Sequence, residues 1–326
     1  MALPLFRRLL MALPLISGFI ALPAAASADP VTQLDISYAY YDPLSLILKD
    51  NGILQEELGP NVKINWVLSQ GSNQALVFLR GNSIQFGQTA GSAALLGRAN
   101  GTPVQAIGVT ANAEWTAIVV PANSPIKTLA DLKGKRVAAT PGTDPDIFLL
   151  RSLASVGLTS KDITLVPLQH PLGRQALATG GVAAWAGLDP FMAEAQLQDH
   201  DVLLYRNTKF ISPGTLLVRD DFEAAHPDVV KEVLTAYNRA RDWAIAHPEG
   251  TAQILAKASG LPVNVAKLQL SRVNFKGEAI SASDRASILA AGPILQASGS
   301  VAAGTNLQEV GTSLVNTSFT TALGIK

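Results

Sequence analysis

RVAATPGTDPDIFLLRSLASVG, residues 136–157, holds in one line the unit from which this fold is built. Residues 136–139 read as a buried strand. Thr140 to Asp144 break it with proline and glycine, Pro145 opens a helix through Val156, and Gly157 stops that helix. Outward from here the unit recurs. Downstream come a strand at 163–166, a helix at 172–179 closed by Gly180 and Gly181, a strand at 182–187 and a helix at 190–198. Upstream, strands at 34–39, 62–68 and 84–87 alternate with helices at 43–50, at 73–80 and from Ser92 to Arg98. Apolar, β-rich runs at 104–109, 117–120 and 215–218 complete the strands. Strands separated by helices of about ten residues require right-handed crossovers, which predicts an α/β fold with mainly parallel sheets. Beyond 218 the chain reads as mostly helical. In a long amphipathic stretch at 227–246, Val230, Val233, Leu234, Tyr237 and Ala244 share one face.

With 326 residues the chain suits two domains of about 150 residues each. Its 25 basic and 25 acidic residues cancel, so it lacks the charge footprint of a nucleic-acid binder. It contains no cysteine, which excludes disulfides, thiolate metal sites and cysteine nucleophiles. Residues 1–28 read as a cleaved export signal: Arg7 and Arg8, an apolar run from Leu9 to Leu22, then Ala26-Ser27-Ala28. Pro14 and Pro23 interrupt what would otherwise be an anchor. The expected product is a soluble periplasmic protein with a net charge near −2.

Three strand-to-helix turns carry the functional signal: Gln88 to Ser92, Thr140 to Pro145, and Leu188-Asp189-Pro190. In a parallel sheet such turns gather at the carboxyl edge, where ligands bind. The unpaired N–H groups and partial positive charge of a helix start accept an oxyanion without a basic side chain. The alternative is that Ser92, Asp144 and Asp189 cap their own helices, the two aspartates each followed by a proline. No phosphate loop, nucleophile elbow or zinc-helix motif is present. The four histidines, His170, His200, His226 and His247, lack a metal-binding spacing. The pattern favours binding over catalysis, with neither metal nor cofactor.

Several segments, in order, carry a resemblance: SQGSNQAL (69–76), FGQTAG (86–91), SPIKTLADLKGK (124–135), GTD (142–144) and AWAGLDPF (184–191). With them, and with the helix from His226 to Trp243, the chain resembles the substrate-binding proteins of ABC importers, specifically the family handling aliphatic sulfonates, taurine and nitrate. Ala183 departs from it, standing where the family usually has an aspartate. The resemblance implies a type II periplasmic-binding-protein fold. Residues 29–117 and 217–326 would form one lobe and 118–216 the other, with 117–120 and 215–218 as a two-strand hinge. It implies a small anionic ligand held between the lobes, an inner-membrane ABC permease as partner, and a monomer.

Residue by residue, the resemblance places Tyr41 against the ligand, with Tyr40 or Asp42 as substitutes. Gln70, Gly71, Ser72, Thr89, Gly91 and Ser92 would supply donors from lobe one, and Gly142, Thr143 and Asp144 from lobe two. Trp115 and Trp185 would wall an alkyl chain. Glu114 and Asp189 are the acids expected nearest the cleft. If one faces inward it would meet an ammonium such as that of taurine; if both are occupied, an uncharged alkyl or aryl sulfonate fits better. Nitrate, a thiamine pyrimidine precursor or an aromatic carboxylate are the alternatives on the same scaffold, with an enzyme on this fold a more distant one.

Overall fold

The computed structural model describes residues 29–325. The expected export signal, 1–28, lies outside the described residues. β1 (Gln33–Tyr38) leads into α1 (Pro43–Asp50) and α2 (Ile53–Leu58), then β2 (Lys63–Leu68) and α3 (Ser72–Arg80). β3 (Phe86–Ala90), α4 (Gly91–Ala99), β4 (Val104–Ala113) and β5 (Thr116–Val120) follow. Next are β6 (Arg136–Ala139), α5 (Asp144–Ser155), β7 (Thr164–Pro167), α6 (His170–Ala178), β8 (Ala184–Leu188) and α7 (Phe191–Gln198). After β9 (Val202–Tyr205) and β10 (Gly214–Arg219) come α8 (Asp220–Ala225), α9 (Pro227–Ala246), α10 (Pro248–Ser259) and α11 (Val263–Leu270). The short β11 (Val273–Asn274), α12 (Ala282–Leu289) and three further helices end the chain.

The strands form two mixed sheets, ordered β11-β4-β10-β3-β1-β2 and β7-β6-β8-β5-β9. β1 pairs in parallel with β2 and β3, and β6 with β7 and β8. The strands that follow each passage between sheets break the parallel order. β10 re-enters the first sheet between β3 and β4 and runs antiparallel to both, while β5 lies antiparallel to β8 and β9. β3 also runs on to Ala90, past the 84–87 expected, because Gln88, Thr89 and Ala90 pair with Leu216, Thr215 and Gly214 of β10. The chain passes between sheets at 114–115 and again at 206–213. Arg206 Nε donates to Glu114 Oε1 at 2.7 Å, tying the two passages together.

Leu34, Ile36, Ile47 and Phe86 pack with Val230, Val233 and Leu234 of α9 on one face of the first sheet. The opposite face continues across to the second sheet: Leu79, Ala93, Ile118, Phe148, Ala186 and Ile288 belong to one apolar cluster. A smaller cluster covers the far side of the second sheet around Trp185, Leu177 and Met192.

Candidate ligand-binding site

A pocket opens where strands of both sheets end and helices begin. From the first sheet's side it is lined by Tyr41 and Asp42 after β1, Ser72 at the start of α3, Gln88 to Ala90 leading into α4, Thr110 on β4 and Gly214 on β10. From the second come Thr143 to Pro145 at the start of α5 and Leu188 at the end of β8, with Trp115 from the first passage between sheets. The amino ends of α3, α4 and α5 therefore meet at one cavity. Their first N–H groups have no partners within their own helices; in α4 those of Gly91 and Ser92 are taken by Pro213 O and Ser212 Oγ.

The local chemistry of each turn is set by its sequence. Gly142 sits at φ +78, a conformation that a side chain would strain, and this lets its N–H turn to Asp146 Oδ2 at 3.0 Å. Thr143 lines the pocket but donates its hydroxyl to Thr140 O at 2.6 Å. Thr89 is buried beside Thr215, whose hydroxyl donates to Thr89 O at 3.1 Å. Tyr41 donates its hydroxyl to Gln88 O at 2.9 Å, which holds the ring against the cavity. The Ser72 hydroxyl accepts the Ala90 N–H at 3.1 Å, leaving its own hydrogen for another acceptor.

Asp144 does not cap α5; Thr143 occupies that position. The Asp144 carboxylate instead reaches across the site, accepting from Ser92 Oγ, from Ser212 Oγ at 2.9 Å and from Trp115 Nε1 at 2.9 Å. Burial raises its affinity for a proton, and these donors pull the other way. Ser92 is thus committed to Asp144 rather than to its own helix or to the cavity. Trp115 is oriented by the same carboxylate and presents its ring as a pocket wall.

Other expected site residues stand elsewhere. Trp185 is wholly buried in the core of the second sheet and touches no cavity, because β8 turns its side chain toward Leu177 and Met192. Gly91 packs on α12, where an added Cβ would come within 2.5 Å of Ile288 Cγ1; it supports the turn instead of lining it. Gly71 lies against the buried His170, whose Nδ1 is 3.2 Å from Thr140 Oγ1 and whose ring burial holds neutral, with its pKa lowered to about 3. Glu114 is held by Arg206. Asp189 faces Arg272, which donates to both carboxylate oxygens at 2.9 and 2.8 Å, and it also accepts the Ala193 N–H at 2.9 Å in the first turn of α7. Both acids are thus paired with arginines, although Asp189 also lines the pocket that adjoins the first.

Gln70 lines an adjoining pocket that shares Tyr41 and Leu188 with the first and adds Tyr40, Leu68, Pro171, Phe191 and the paired Asp189. That second space is mostly apolar. The sequence reading missed Thr110, Ser212, Gly214 and Arg272, and named Asp42 only as a substitute for Tyr41. No local signal marks these positions, since long-range strand pairing and helix packing bring them in. Asp42 is buried, and neither of its carboxylate oxygens has a hydrogen-bond partner. Loss of solvent pushes its carboxyl up to about 7, against the opposing pull of Arg241 and of the nearby Leu44 and Ser45 amides and Thr110.

A family model described as NMT1/THI5 like matches residues 59–251. A protein of Escherichia coli (strain K12) whose name assigns it to aliphatic sulfonates binding is 32% identical over 244 residues, 74% of this chain and 76% of its own length. A namesake from Bacillus subtilis (strain 168) is 29% identical over 262 residues, 78% of this chain and 79% of its own. Among solved structures, the alkanesulfonate-binding protein SsuA from Xanthomonas axonopodis pv. citri, bound to MOPS, superposes with a TM-score of 0.81 at 27% identity. The match covers 89% of this chain and all of that one.

Proposed function

The chain belongs to the NMT1/THI5-like family, and from that premise we propose that it is the solute-binding component of an ABC importer. It acts in the periplasm after removal of residues 1–28. There it binds an organic sulfonate, an alkanesulfonate or a taurine-like compound, and delivers it to an inner-membrane permease for sulfur uptake. Because β5 belongs to the second sheet and β10 to the first, the lobe bounds move from the expected 117 and 217 to the two passages: residues 29–113 with 214–326 form one lobe and 116–205 the other. The ligand contacts both lobes only when they are closed, so binding favours closure.

One observation carries this reading: the amino ends of three helices from two sheets, with the hydroxyl of Ser72 and the ring of Trp115, line a single pocket. Such a pocket solvates a sulfonate through N–H groups and hydroxyls. The relatives' names assign them to sulfonates, and the similar solved structure holds MOPS, which supports the same class here.

The test is thermal unfolding of the mature protein with alkanesulfonates of increasing length, taurine, nitrate, sulfate and a thiamine pyrimidine precursor. A ligand at about 100 times its Kd stabilises by about 2.7 kcal/mol. A shift confined to sulfonates is expected. A shift with the pyrimidine or nitrate and none with any sulfonate would overturn the ligand assignment.

A further inference from the structure

Among the side chains lining the pocket, Asp42 stands apart: both of its oxygens are buried without a hydrogen-bond partner. Its backbone is anchored on both sides. The Asp42 N–H donates to Ala39 O at 3.1 Å, and its carbonyl accepts from Ser45 N at 3.2 Å and from Ser45 Oγ at 2.7 Å. The main chain that carries the carboxylate is therefore fixed, and the residue is buried.

The Leu44 and Ser45 amides and the Thr110 hydroxyl lie near the carboxylate and favour its charged form, but none completes a hydrogen bond to it. Arg241 of α9 is the facing charge, but its guanidinium donates to the carbonyls of Thr110, Val109 and Phe275, and its Nε lies 3.1 Å from Glu278 Oε1. The hydroxyl of Tyr237, also on α9, accepts from Gln88 Nε2. Tyr41 donates to Gln88 O. Asp144, the other carboxylate of the pocket, already has three donors. No lysine or arginine is among the described residues lining the cavity. A buried carboxylate without a partner is costly, and a wholly anionic ligand beside it would raise that cost. A ligand that brings its own positive hydrogen-bond donor would remove it.

We propose that Asp42 anchors a protonated nitrogen of the ligand, so that the pocket selects an aminoalkanesulfonate: the sulfonate on the helix starts near Ser72, the ammonium on Asp42. This rests on the sulfonate reading above and adds the chemistry of the tail. It replaces the uncharged tail that follows from considering Glu114 and Asp189 alone. Because burial lifts the Asp42 carboxyl to about 7, the ligand-free site is partly protonated at neutral pH, and an arriving ammonium expels that proton.

Calorimetric titration with 3-aminopropanesulfonate and butanesulfonate tests this, since the two differ by an ammonium in place of a methyl group. The wild-type protein at pH 7.5 should bind the amine at least tenfold more tightly. In Asp42→Asn the ratio of the two affinities should fall to near one. Repeating the wild-type titration in two buffers of different ionisation enthalpy should reveal proton release with the amine. Equal binding of both compounds, or a preference for butanesulfonate, overturns the role of Asp42 and leaves the sulfonate reading standing. Binding of neither overturns the sulfonate reading, and this proposal with it. If Asp42→Asn fails to fold, the wild-type pair and the proton release still decide.

Discussion

The solitary Asp42 carboxyl makes a quantitative claim about the ligand-free protein: replacing it with asparagine should stabilise the fold, and the gain should grow with pH. Its carboxyl shifts from an ordinary 3.8 to about 7 on burial. Because the folded value is raised, the folded state keeps a proton that the unfolded chain releases. The penalty is absent below the unfolded value and complete above the folded one. At about 1.36 kcal/mol per pH unit, Asp42 opposes folding by about 1.5 kcal/mol at pH 5 and about 4 kcal/mol at pH 8. Asparagine carries no charge in either state. The stability difference, variant minus wild type, should therefore rise by about 2.5 kcal/mol from pH 5 to pH 8. Asp146 and Asp189, both pushed up to about 6 by burial, impose the same slope on both proteins and cancel from the difference. The facing Arg241, Tyr41 and Tyr237 keep their charge states over this range, and a fixed offset from repacking the amide does not change with pH. Urea unfolding of ligand-stripped protein at half-unit pH steps measures it. A difference that stays flat across that range would refute the reasoning, since Asp42 would then be ionised or solvated in the fold.

Arg272→Ala should destabilise by about 3–5 kcal/mol in urea, because it leaves the buried Asp189 carboxylate without its cation; adding Asp189→Asn should recover most of the loss, and no recovery would show the pair is not the cause. Trp185→Ala should cost about 3–5 kcal/mol of stability yet leave ligand affinity of the folded protein within about twofold, whereas a selective loss of affinity would return that ring to the site.

What could be read along the chain depended on local punctuation. Helices α1 and α9 and strand β6 begin and end where the sequence reading places them, because Pro43 and Pro227 open the helices and Asn51 and the turn at Thr140 close the segments within a few residues. The strand β9 was not foreseen: Val202 to Tyr205 is short, and its pairing partner β5 lies about 85 residues away. Likewise, nothing near Gln88 signals that β3 continues, since the reason is β10.

The sequence by itself determined that strands alternate with helices and that glycine- and proline-bearing turns open directly into helix starts, because backbone sterics and capping act over a handful of residues. It also determined the family, through the order of those turns. Which side chains face the pocket was decided only by tertiary structure. Two tryptophans that look alike in sequence part company, Trp115 at the cavity and Trp185 in the core. Three acids near the cleft divide in the same way: Glu114 meets Arg206, Asp189 meets Arg272, and the Asp42 oxygens have no hydrogen-bond partner. Burial and ion pairing are set by distance in space, and residues tens to more than two hundred positions apart come within 3 Å of one another only once the chain has folded.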